Sequence, residues 1–192
     1  LLSTLDDRHW RSGISEAIKV ALVKDEQFFA HIESNAELLI DRDAEVMWNV
    51  VTTSAMLHLR HITDGGDPFE RLDARPLDFG HWAAHKLEQL TDYELTHGEA
   101  VAIGLAIDLR CSVLLGYLDE VIANRAISLL HAVGFATTHP AIEDSALLDG
   151  IEEFREHLGG KLTLLMLEDI AQPINVHHLS EEIVRQAISE LV

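Results

Sequence analysis

The sequence has only one cysteine, Cys111, among 192 residues, so no disulfide can close within the chain and a reducing cytoplasm is the expected compartment. Cys111 stands in an apolar helical run and reads as a small buried hydrophobe. Positive charge is scarce. Lys and Arg number 14 against 33 Asp and Glu, a formal charge of −19, which argues against nucleic acid or an anionic membrane surface as a partner. No apolar run is long enough to span a bilayer, no secretory signal opens the chain, and no internal repeat or low-complexity tract interrupts it. A glycine-rich phosphate loop following a strand is also missing, so no dinucleotide-binding motif can be found. Hydrophobic residues, by contrast, make up 47% of the chain, which suits one domain with its own core and excludes a disordered default.

Periodicity and capping signals divide that domain into helices. Residues 1–11 read as an incoming connection, followed by a helix that is apolar nearly all round and ends near Lys24-Asp25. Residues 26–32 predict a short helix with Phe28 and Phe29 inward, and Ser34 with Glu37 offers a capping box for residues 36–40. Residues 43–62 keep helical spacing through Val46, Val50, Met56 and Leu57 before the turn formers Thr63-Asp64-Gly65-Gly66-Asp67-Pro68. Residues 99–118 form the most apolar helix, stopped by Gly116, and residues 119–133 another, closed by Gly134. A charged helix over residues 144–158 runs into Gly159-Gly160, and residues 161–167 are consistent with a strand. Pro173 is expected to break the segment, and Ser180 to cap a last amphipathic helix with Ile183, Ala187, Ile188 and Leu191 on one side. The expected fold is mainly α, a single multi-helix domain over residues 1–192 with at most a small β-hairpin.

Histidine is concentrated in one place. His81, His85 and His97 fall within seventeen residues. On a helix His81 and His85 share a face, with Glu88 a turn further along it. Thr96 and Glu99 form a capping box for a new helix whose first turn carries His97. Gly98 and Gly104 remove side chains where another backbone or a ligand could approach closely. Two such helices can converge on one divalent ion, which neutral imidazole suits. A third ligand should come from far away in sequence, and Glu16, inside the first apolar helix, is the candidate. A glutamate and Lys19 three residues on cannot stand isolated in a buried segment, so the plain alternative is an ion pair between them. His58 and His61, a turn apart, read as solvated or helix-end histidines.

Three strings, Arg11-Ser12-Gly13-Ile14-Ser15-Glu16-Ala17-Ile18-Lys19, Asp78-Phe79-Gly80-His81 with His85, and His97-Gly98-Glu99-Ala100-Val101-Ala102-Ile103-Gly104, resemble the C-terminal half of 3-dehydroquinate synthases and related sugar-phosphate cyclases. The sixteen-residue step from His81 to His97 is part of that resemblance, which runs from about Thr4 to the neighbourhood of Leu167. It implies a helical C-terminal domain of the dehydroquinate synthase and metal-dependent alcohol dehydrogenase type, with an NAD-binding N-terminal domain absent here and a parent chain about twice as long. It also implies a homodimer acting on a small sugar phosphate, with NAD and with Zn2+, or Co2+ or another divalent ion, as cofactors.

By the same resemblance Glu16, His81 and His97 would hold the metal, Lys19 would contact substrate oxygens, and His85 would help proton movement near the departing phosphate. Glu88 and Glu99 would be outer partners of the ligands, Glu99 chiefly a cap. The chain departs from the synthase pattern where the substrate is handled: Asp78 replaces an asparagine, Ala74 with Arg75 beside it replaces an arginine, Arg60 stands for a lysine, and Arg155-Glu156-His157 for a later lysine pair. Loss of groups that meet a substrate carboxylate resembles cyclases acting on uncharged-end sugar phosphates such as sedoheptulose 7-phosphate, the epi-valiolone synthase type. The motif from Arg75 to Glu88 also resembles a less characterised bacterial and algal branch. Two alternatives stay open: an alcohol or glycerol-type dehydrogenase domain, and a non-catalytic, metal-stabilised helical domain.

Overall fold

The computed structural model describes residues 2–64 and 78–192. Of the turn expected over residues 63–68, Thr63 and Asp64 end a helix instead, while residues 65–68 and the candidate Arg75 lie outside the described residues. The first helix, α1 (Asp7–Lys24), begins earlier than the sequence suggests, because Asp6 accepts a hydrogen bond from His9 N and caps it. Residues 7–11 are thus helical, not a connection, and Trp10 is buried with its indole N–H donating to Leu39 O at 2.9 Å.

Next come α2 (Glu26–Ser34) and α3 (Ala36–Ile40). The capping box expected at Ser34 does not form. Its hydroxyl donates back to Ala30 O and His31 O, so α2 uses the group that α3 would have needed, and Asn35 caps α3 without a side-chain bond. Then follow α4 (Ala44–Asp64), α5 (His81–Leu90), α6 (His97–Leu114) and α7 (Glu120–Ala132). Gly116 and Gly134, with φ of 77° and 87°, stand just past the ends of α6 and α7 and take the left-handed conformation that stops a helix.

The charged segment at 144–158 is shorter in α-helix than expected. Asp144 accepts from Ala146 N and opens a 3-10 turn, Ser145–Leu148, before α8 (Asp149–His157). A single antiparallel hairpin follows, β1 (Leu164–Asp169) with β2 (Gln172–Val176), and Pro173 lies inside β2 opposite Leu167. Proline does not break this strand, because a strand paired on one side only has a free edge to which its missing N–H can be turned. The last helix, α9 (Glu181–Ser189), is capped by Ser180. The mainly helical class, with one hairpin among the described residues, is as the sequence indicates.

The apolar α6 is the centre of the core, buried from Ala100 to Leu109 and packed by α1, α5, α7 and α9. The hairpin ties back to α1 through Ala171 N donating to Leu22 O at 2.8 Å. No helix among the described residues is long and apolar enough to cross a membrane.

Candidate metal centre

Two close backbone approaches set the geometry. A Cβ added at Gly98 would lie 2.4 Å from Ser12 Cα, so only glycine lets the start of α6 rest on α1. That contact brings His97, first residue of α6, next to Glu16, one turn beyond Ser12. A Cβ added at Gly104 would lie 2.0 Å from Gly80 O, and Gly80 itself has φ of 78°. The turn that launches α5 therefore sits directly on α6, with His81 as the first residue of α5.

The side chains converge. Glu16 Oε1 lies 3.5 Å from His81 Nε2 and 3.2 Å from His97 Nε2, and one donor atom from each of the three residues falls within 4.8 Å of the others. Lys19 Nζ is 2.7 Å from Glu16 Oε2 and 3.5 Å from His81 Nε2, and Lys19 is buried. The ion pair and the candidate triad coexist.

The outer ring nitrogens test whether this cluster fits a metal. His81 Nδ1 is 3.1 Å from Phe79 O, and His97 Nδ1 is 3.2 Å from Glu88 Oε2. An N–H given to each oxygen fixes the tautomer in which both Nε2 lone pairs would be free for an ion, as in metal-ligating histidines, whereas an imidazole that also carries a proton on Nε2 donates it to Glu16. One carboxylate and two imidazoles suit zinc with an open position for another ligand. The residues fit.

Burial would raise the Glu16 carboxyl, but hydrogen bonds to His81 and His97 and the Lys19 charge outweigh it and hold the group well below the usual carboxylate range. His97 is raised above its ordinary value, first by its hydrogen bond to Glu16, against burial, and then by Glu88.

The other sequence candidates are distributed around this centre. His85 is exposed, its ring centroid 5.3 Å from that of His81 and 5.8 Å from that of His97. His85, Glu88 and His97 also offer ligand atoms within 4.8 Å of one another. Glu99 completes the capping box with Thr96 and pairs with Arg8, so its carboxylate is committed to the helix start. Asp78 is half-buried in the turn ahead of Phe79, Arg60 is exposed near the end of α4, and His157 is the last residue of α8. His61 stands 3.3 Å from Lys24 Nζ. Between α1 and α4 a cleft of about 340 Å³ opens beside Glu16 and Lys19, lined also by Gly13, Val50, Ser54 and His58.

One residue escaped the sequence reading. Asp108, inside α6, accepts from Gly80 N at 2.8 Å and from Trp82 Nε1 at 2.7 Å, and burial pushes its carboxyl up to about 7 against the lowering effect of those two donors. The signal was an acid inside the apolar run of residues 100–109 in α6.

Residues 13–155 match the family described as 3-dehydroquinate synthase C-terminal. The chain is 31% identical over 193 residues to a 3-dehydroquinate synthase of Halorhodospira halophila, covering 100% of this chain and 54% of that protein. It is 28% identical over 197 residues to a 2-epi-valiolone synthase of Actinosynnema mirum, covering 99% and 50% respectively. Among solved structures, ValA, the 2-epi-5-epi-valiolone synthase from Streptomyces hygroscopicus subsp. jinggangensis 5008 with NAD+ and Zn2+ bound, matches with a TM-score of 0.91 at 26% identity over 99% of this chain and 53% of its own. A 2-deoxy-scyllo-inosose synthase at 17% identity and a TM-score of 0.63 shares the fold. The chain spans about half the length of the curated relatives it matches.

Proposed function

The chain belongs to the 3-dehydroquinate synthase C-terminal family, and from that premise we propose that it is the metal- and substrate-binding half of a sugar-phosphate cyclase, which eliminates phosphate and closes the opened sugar into a carbocycle by an intramolecular aldol step. The observation that carries the proposal is the meeting of Glu16, His81 and His97 around one point, with both outer imidazole nitrogens engaged.

Glu16, His81 and His97 hold a divalent ion, zinc or cobalt. When bound, the ion supplies Lewis-acid polarisation of a substrate oxygen, and NAD supplies a hydride acceptor that is regenerated in the same turnover. Lys19 directs its ammonium at the same point and binds substrate oxygen there, its charge balanced by Glu16. His85, exposed one turn beyond His81, is placed to move a proton beside the departing phosphate. Glu88 keeps His97 in the ligating tautomer. Asp78, Arg60, Arg75 and His157 are assigned to the substrate by the family resemblance, and Glu99 to bracing the start of α6.

The substrate is a sugar phosphate with an uncharged end, of the sedoheptulose 7-phosphate class. Asp78 at a position that handles the substrate disfavours a carboxylate there, and the similarity to ValA points the same way. The reading carries with it a cytoplasmic homodimer and a dinucleotide-binding partner domain. The test is phosphate release by the chain joined to such a domain, with heptulosonate and sedoheptulose phosphates offered in parallel and absorbance of reduced nicotinamide followed throughout. Phosphate release with no net reduced dinucleotide is expected. Net reduction without phosphate release would instead identify an alcohol dehydrogenase.

A further inference from the structure

We infer that Asp108 is a positioning residue for the metal site, acting through His81: its carboxylate clamps the two residues that flank His81 and registers them against the helix that also carries His97. The inference rests on the metal-binding reading above. Asp108 is 1% exposed, and among the described residues no basic side chain forms an ion pair with it. A buried carboxylate without a cation is costly, so its presence in the middle of an apolar helix calls for a local reason. The reason is geometric. One oxygen accepts the Gly80 backbone N–H and the other accepts the Trp82 indole N–H.

These donors come from the positions immediately before and after His81. The Phe79 carbonyl already fixes the rotation of the His81 ring through Nδ1. With residues 80 and 82 also held, the imidazole has no freedom left at its own backbone. Because Asp108 belongs to α6, whose first residue is His97, the two imidazoles are set against one rigid helix, with ring centroids 5.3 Å apart. A carboxylate is the side chain this task requires. Asparagine accepts on one oxygen only and would point its NH2 at the second donor, and an aliphatic residue would leave both donors buried and unpaired.

A purely structural role would cost stability without touching the metal, and the experiment separates the two. Zinc dissociation constants would be measured on the folded 192-residue chain by competition with a chromophoric chelator, alongside urea denaturation. The Co2+ form would report ligand geometry through its visible d–d absorption. Asp108→Asn is expected to weaken zinc about tenfold or more and to shift the Co2+ bands. Leu130→Ala, a core deletion in α7, is the control: it should lose comparable stability and leave zinc affinity and Co2+ spectrum unchanged. Trp82→Phe removes one donor only and should weaken zinc by a smaller factor, which keeps the question decidable if Asp108→Asn fails to fold. Wild-type affinity and spectrum in folded Asp108→Asn, or in Trp82→Phe where that is the variant available, would overturn the inference. A wild-type chain that binds neither ion would overturn the metal reading itself, and this inference with it.

Discussion

Glu16 Oε1 lies 3.2 Å from His97 Nε2 although 81 residues separate them. Nothing local makes that contact. It exists because α6 starts against α1, and it gives the carboxylate a place among imidazoles that Lys19 alone would not explain. Glu16→Gln keeps the shape and removes the charge, and is expected to weaken zinc binding by about 100-fold or more, beyond the effect of losing an outer partner. Equilibrium dialysis against zinc would check it, and unchanged binding would leave the cluster as an ion-pair network only.

Glu88 acts on the same imidazole from the other side. Glu88→Gln is expected to cost about tenfold in zinc affinity with little change in unfolding midpoint, and to lower the raised pKa of His97 in the metal-free chain. NMR titration of the His97 ring protons reads the second effect directly.

The pH dependence has two opposite signs. Since His97 is raised above 6.5 in the metal-free fold, its protonation stabilises that fold fully below 6.5, and the contribution is lost as pH rises through the raised value. The metal must displace the same proton, so apparent zinc affinity should fall on acidification, beginning above pH 6.5. Chelator competition across that range, paired with melting curves of the metal-free chain, should show affinity rising while metal-free stability declines.

Gly98→Ala tests the approach that brings the ligands together. Its methyl would meet Ser12 backbone at 2.4 Å, so α1 and α6 must part. Overpacking of this kind costs about 1–3 kcal/mol, and here the displacement should also weaken zinc binding. A variant with native stability and native affinity would show that the two helices can separate freely without disturbing the site.

The helices were legible wherever a capping signal and apolar spacing agreed, as at Thr96 and Ser180. They were misjudged where one residue served two masters: the Ser34 hydroxyl satisfied the preceding helix, and Asp6 began a helix among polar residues that gave no periodic signal. In the site, spacing along one helix placed Glu88 on the face of His81 and His85. Its 3.2 Å contact with His97 Nδ1 depends on how α6 packs against α5, a cross-helix relation that periodicity cannot contain. The partners of Asp108 were opaque for the same reason, because they lie 26 and 28 residues upstream.

The stacking of Gly80 on Gly104 constrains what redesign can achieve. Neither position can gain a side chain without separating the turn from the helix beneath it, so the anchor point of His81 is not an adjustable loop. Efforts to retune ion preference or reaction scope would do better to leave both untouched and vary the open flank around Ser54 and His58.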